Sequence, residues 1–130
     1  MEVQEEIRTK KARVSLLQEK LIKILIDEEA EIGKDDIVEI NEAKKKLAGA
    51  EKYCVLFITP HFGSISSEAR AYSASLEVYE NAIAKAIIVP NLGQRLVGSF
   101  FIKFNRPPAP TRLFSTADEA VTWLNQKLKN

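Results

Sequence analysis

The sequence predicts an α/β domain in the order ββαβαβαβα, with a mixed, mostly parallel five-stranded sheet and flanking helices. Three observations lead there. Alternating residues from Ala12 to Leu16 and the apolar run Leu21 to Ile26 flank a polar turn, which is the pattern of an antiparallel hairpin. Tyr53 to Thr59 and Ala82 to Val89 are almost continuously apolar, as buried parallel strands are. Between and after them lie segments whose apolar residues recur at helical spacing.

Residues 1–11 are charged and polar and are expected as a lead-in or edge extension, leaving 12–130 as one domain. Ala12, Val14 and Leu16 alternate with Arg13 and Ser15 in the first strand. Only Lys23 interrupts the second, which places it nearer the sheet centre. Lys34 to Ala48 carries Ile37, Ile40, Ala43, Leu47 and Ala48 near one helical face. Asp35 and Asp36 in its first turn, Lys44, Lys45 and Lys46 in its last, and Gly49 beyond agree with the helix dipole and a glycine stop. The lysine run is expected as a solvated helix end.

After the strand Tyr53 to Thr59 and the loop Pro60 to Ile65, Ser66 is placed to cap a second helix, with Ala69, Tyr72, Leu76 and Tyr79 along one stripe. Pro90-Asn91 ends the strand Ala82 to Val89. A third helix is expected from Leu92 to Phe104, stopped by the proline-rich segment Arg106 to Pro110. Thr111 to Phe114 is the last strand. Thr116 and Glu119 then form a capping box ahead of Ala120, Val121, Leu124 and Leu128.

A chain of 130 residues with 45% hydrophobic and 28% charged residues can bury its own core. Its 19 basic and 18 acidic side chains leave a net charge of +1, so no overall field draws it to nucleic acid or anionic lipid. One cysteine, Cys54, and one histidine, His61, supply neither a disulfide framework nor the ligands of a structural zinc site. The start of the chain lacks an apolar signal region, and no apolar run is long enough to span a bilayer. A cytoplasmic location without metal or cofactor is the expectation.

Several residues invite chemistry. Ser66 and Ser67 stand at a helix start as a cap or as phosphoacceptors. Cys54 sits early in an apolar strand and His61 beyond its end, so they are not expected to meet as nucleophile and base. Gly93 and Gly98 do not make a dinucleotide-binding glycine motif. On the third helix Leu92, Leu96, Val97, Phe100, Phe101 and Phe104 cover about half the circumference, more than one sheet face covers. With Lys103, Arg106 and Arg112 close by, Phe100, Phe101 and Phe104 form the expected interaction surface, an apolar centre with a cationic rim.

Two stretches resemble the SpoIIAA-like domains, relatives of the sulfate-transporter and anti-sigma-factor-antagonist (STAS) module. One runs from Val55-Leu56-Phe57-Ile58-Thr59 to Ser66-Ser67; the other is Val97 to Asn105 followed by Pro107-Pro108 and Pro110 to Ser115. The resemblance covers about residues 12–128, the second stretch matching an uncharacterised bacterial branch. It implies a regulatory domain without catalytic activity that docks a protein partner or a second copy. Phosphorylated members of the family carry Asp before the serine pair and Gly after it, where this chain has Ile65 and Glu68. An acidic Glu68 would repel a phosphoryl donor, which argues against a phospho-switch. Because some SpoIIAA-like domains are grouped with lipid-transfer folds, the alternative is a carrier or sensor of an apolar or lipid-like small molecule. A cavity lined by Phe100, Phe101, Phe104, Tyr72 and Leu76 would favour the carrier, and an exposed patch of these residues would favour docking.

Overall fold

The computed structural model describes residues 5–129, so the first four residues of the expected lead-in lie outside the described residues. The elements are β1 (Glu6–Arg8), β2 (Ala12–Gln18), β3 (Leu21–Ile26), β4 (Glu31–Ile32), α1 (Lys34–Ala48), β5 (Tyr53–Ile58), β6 (Ser64–Ile65), α2 (Ser67–Ser73), β7 (Ala82–Ile88), α3 (Leu92–Asn105), β8 (Thr111–Phe114) and α4 (Ala117–Lys129). The main sheet runs β1-β2-β3-β5-β7-β8, antiparallel across its first three strands and parallel from β3 onward. This is the expected mixed α/β fold, with six strands where five were expected. The sixth is β1, within the segment read as a lead-in. Its three residues include one apolar side chain, Ile7, opposite Val14, too few to show a period, and Arg8 holds its end through an ion pair with Asp27.

From β3 the sheet grows in one direction, through β5 and β7 to β8. Right-handed crossovers therefore send α1, α2 and α3 to the same face. The core divides accordingly. Val14, Ile22, Ile24, Val55, Phe57, Ile87 and Val89 meet Ile37, Ile40, Ala69 and Phe101 on that face. Leu21, Cys54, Leu56, Ala84, Ala86 and Ile88 meet Ala120 and Leu124 of α4 on the other. Fully buried Leu21, Ile22, Leu56 and Leu124 each contribute roughly 1.5–3 kcal/mol.

The second helix ends earlier than its stripe suggests. The Ser73 hydroxyl donates to the Arg70 carbonyl, and the Ser75 hydroxyl accepts from the Val78 N–H, so short side chains compete for the backbone and a turn replaces further helix. Leu76 is left 80% exposed, while Tyr79 is buried with its hydroxyl 2.7 Å from Thr111 Oγ1. The helix ends behave largely as expected. Gly49 stops α1 at φ 63°, its N–H donating to the Lys45 carbonyl. Thr116 accepts from the Glu119 N–H at 3.4 Å, while the Glu119 carboxylate takes the Thr116 hydroxyl at 3.0 Å.

Within the expected acidic turn and the loop after β5, β4 and β6 pair in parallel, with Ile32 opposite Ile65. The loop turns at Gly63, whose φ is +148° and whose missing side chain leaves room for the Ala30 carbonyl oxygen; a Cβ there would lie 2.7 Å from it. Gly63→Ala should therefore destabilise the domain by more than about 1 kcal/mol, measured as a lower urea midpoint.

Candidate functional site

β6 and α2 on one side and α3 on the other leave the carboxyl ends of β3, β5 and β7 uncovered between them. Gly93 and Gly98 on the facing side of α3 add no bulk there. The result is a groove of about 340 Å³, within the range of small-molecule sites, with Phe57, Ile87 and Val89 as floor and Ile65 and Phe101 as walls. Ligands of open α/β sheets commonly bind at this end of the strands. Among the described residues lining the groove none is acidic, whereas two, Arg70 and Lys85, are cationic.

Lys85 lies on β7 in phase with Ile87 and Val89, so the strand turns its amine inward. The side chain is only 6% exposed, and its Nζ stands 4.8 Å from the Phe57 ring centre and 5.5 Å from that of Tyr79. Among the described residues it has no carboxylate partner, and burial pushes its pKa down to about 8. Lys44 is buried on the other side of the same aromatic cluster, donating to the Val78 carbonyl and lying 5.3 Å from the Tyr53 ring centre. Burial, and next the charge of Lys85, push Lys44 down to about 7. Lys44 is thus not part of a solvated helix end. It falls on the buried face with Ile37 and Ile40, while Lys45 and Lys46 remain exposed. A small cavity of about 20 Å³, roughly one water in size, is lined by both lysines and by Asn41, whose Oδ1 has no donor.

Arg70 donates from one nitrogen to the Ile65 carbonyl at 2.6 Å and lines the groove beside Lys85. Gln94 reaches across from α3 and donates to the Pro60 carbonyl at 2.8 Å, leaving its Oε1 buried without a donor.

The residues singled out from sequence are dispersed. Ser66 caps α2, its Oγ accepting from the Ala69 N–H at 3.0 Å, and Ser67 is exposed in the first turn. Cys54 lies under α4 with Sγ 3.8 Å from the Leu124 carbonyl oxygen, and burial pushes its thiol up to about 11. His61 is exposed beyond the far end of β5, where its backbone N–H and ring hold the Glu28 carboxylate and lower its pKa. Phe101 is 5% exposed and points into the groove, so it leaves the expected surface. Phe100 and Phe104 stack at 5.3 Å on the outside of α3. Lys103 and Arg112 line a shallow depression between α3 and β8, and Arg106, in left-handed conformation at φ 48°, caps α3 exposed to solvent.

Of the five residues named for a carrier cavity, Phe101 alone lines the groove. Lys85, Lys44, Arg70 and Gln94 were not anticipated. The available signal was a single lysine inside the apolar run Ala82 to Val89, in phase with its inward residues.

A family model described as a domain of unknown function (DUF7793) matches residues 14–128. The chain belongs to the DUF7793 family. No curated protein matches it in sequence. Among solved structures it is similar to an uncharacterised protein of the DUF3478 family with a SpoIIAA-like fold from Shewanella loihica PV-4. The identity is 13%, the TM-score is 0.58, and the match covers 94% of this chain and 92% of that one. This DUF7793 domain therefore has the SpoIIAA-like fold that its sequence resembles. Among its described residues, no helix is long and apolar enough to cross a membrane.

Two outcomes follow for this DUF7793 domain. Ser66→Ala should cost about 1 kcal/mol of stability in urea unfolding, through loss of the cap. The buried lysines set a pH dependence. Folding lowers their pKa values from the ordinary 10.5, so between folded and unfolded values the unfolded chain binds more protons and stability rises with pH. Below about pH 7 both are charged in either state and the burial cost is fully present. The urea midpoint should therefore be higher at about pH 8.5 than at pH 7, a range that stops short of the unfolded Cys54 pKa of 9.0. Lys85→Met should flatten this slope and raise stability at pH 7 by on the order of 2 kcal/mol.

Proposed function

We propose that this domain is a non-enzymatic, STAS-type interaction module of the cytoplasm that docks the outer face of α3 onto a protein partner or a second copy of itself. One observation carries this reading: Leu92, Leu96, Phe100 and Phe104, spaced every four residues, are 65–72% exposed in a single stripe. Soluble monomers rarely show water an aromatic and aliphatic row of this kind unless something covers it in use. Lys103 and Arg106 give its C-terminal end a cationic border, the arrangement of an apolar interface centre with a charged rim, whereas Arg112 lies over Phe114 on the α4 side of β8. A thiol-enzyme reading has little support, because Cys54 is protonated, buried under α4 and separated by the length of β5 from His61.

The groove supports a second reading, a carrier or sensor of an apolar small molecule. Val97, 48% exposed, forms the lip between groove and stripe, so both readings converge on α3.

The docking face separates cleanly from the core by mutation. Phe100→Ser should change stability by no more than about 0.5 kcal/mol and abolish self-association or partner capture, measured by sedimentation and by pull-down. Phe101→Ser, one residue on, should cost about 3–5 kcal/mol. A folded Phe100→Ser variant that associates like the parent would remove the stripe from consideration.

A further inference from the structure

We propose that the groove between α2 and α3 binds an apolar molecule bearing a single carboxylate, with the carboxylate at Lys85 and the apolar body along Ile65, Ile87 and Phe101. The inference rests on the second reading above and adds the charge and placement of the ligand. Its starting point is an electrostatic imbalance. Lys85 and Lys44 lie in one buried aromatic cluster with no acidic side chain among the described residues to neutralise them, and Arg70 adds a third cation at the groove wall. A buried charge without a counterion is costly, and natural interiors pair such charges or place them where a ligand does so.

The geometry specifies the missing partner. Lys85 is the only member of the lysine pair that lines the groove, so an anion entering there reaches its amine without crossing the core. Arg70 spends one nitrogen on the Ile65 carbonyl and retains donors for a second acceptor, and a planar carboxylate matches that donor set. The remaining walls are apolar, so a doubly charged phosphate would lose more hydration than one lysine and one arginine return. Gln94 offers a buried acceptor oxygen at the α3 side, which repels an anion there and leaves the Lys85 end for the carboxylate.

The test is calorimetric titration of the whole chain at pH 7 with decanoate, decanol and acetate. Decanoate should bind one-to-one and about tenfold or more tighter than decanol, a difference of about 1.4 kcal/mol, and acetate should give no detectable heat. Lys85→Met should reduce decanoate binding to the decanol level and leave decanol binding unchanged. Val97→Trp, placed at the lip, should weaken both, whereas Phe100→Ser on the outer stripe should affect neither. Should Lys85→Met fail to fold, the ε-methylene NMR signal of Lys85 in the parent protein decides the point: it should move on adding decanoate and stay in place on adding decanol. Equal affinity for decanoate and decanol would overturn the carboxylate assignment while leaving an apolar groove. Absence of binding by either would overturn the groove reading as well.

Discussion

Parallel strands cannot be joined by a tight turn; each neighbouring pair requires a crossover that lies on a face of the sheet. In this domain the strand order β3-β5-β7-β8 advances in one direction, and the handedness of crossovers then assigns α1, α2 and α3 to one face. A single helix, α4, packs on the other. Most of what distinguishes the molecule follows from that unequal division. α4 packs on the β5, β7 and β8 part of its face, against Ala84 and Ala86, and leaves Leu17 of β2 and Leu25 of β3 exposed there. The opposite face must seat three helices over the same strands, and they do not cover it evenly.

The shortfall lies between α2 and α3. Between Ile65 and Arg70 on one side and α3 on the other, the carboxyl ends of the strands stay uncovered and form the floor of the groove. Beyond it, α3 is anchored by Phe101, by Gln94 reaching Pro60, and by the close approach of Gly98 to Leu113, where a Cβ would come within 3.0 Å. These anchors occupy one side of the helix and leave the row from Leu92 to Phe104 to solvent. Lys85 and Lys44 carry the opposite kind of cost, polar groups placed where the fold would be more stable with apolar ones. Departures from local consistency of this kind tend to mark sites selected for something other than stability.

Much of the frame was legible in the sequence because it is written in periodicity and punctuation. Lys34 to Ala48 and Thr111 to Phe114 coincide with α1 and β8, since charge placement, Gly49 and the prolines mark their ends. The surplus of apolar residues on α3 was legible for the same reason. What escaped has a common physical origin. β1, β4 and β6 are two or three residues long and depend on pairing with distant partners, so no local pattern announces them. The short α2 was hidden because Leu76 and Tyr79 continue its stripe, although serine hydroxyls compete for the backbone there. Lys44 looked like one of three solvated lysines, and its burial is visible only from its phase with Ile37 and Ile40. The groove itself is tertiary: Ile65, Arg70, Lys85 and Phe101 come from four separate elements.

The groove and the exposed stripe are two sides of one helix, so any coupling between their occupants would run through α3. Around α3 the residues pass from Phe101 inside the groove, through Val97 at its lip, to Phe100 and Phe104 outside, with no intervening backbone element to isolate one side from the other. A ligand against Phe101 and Val97 contributes contacts that depend on where α3 sits, and so does a partner on the outer row. Whichever position of α3 one of them favours, the other meets, and linkage requires the effect on affinity to be the same in both directions. The uneven covering of one sheet face thus supplies a cavity and an exposed surface on two sides of one helix.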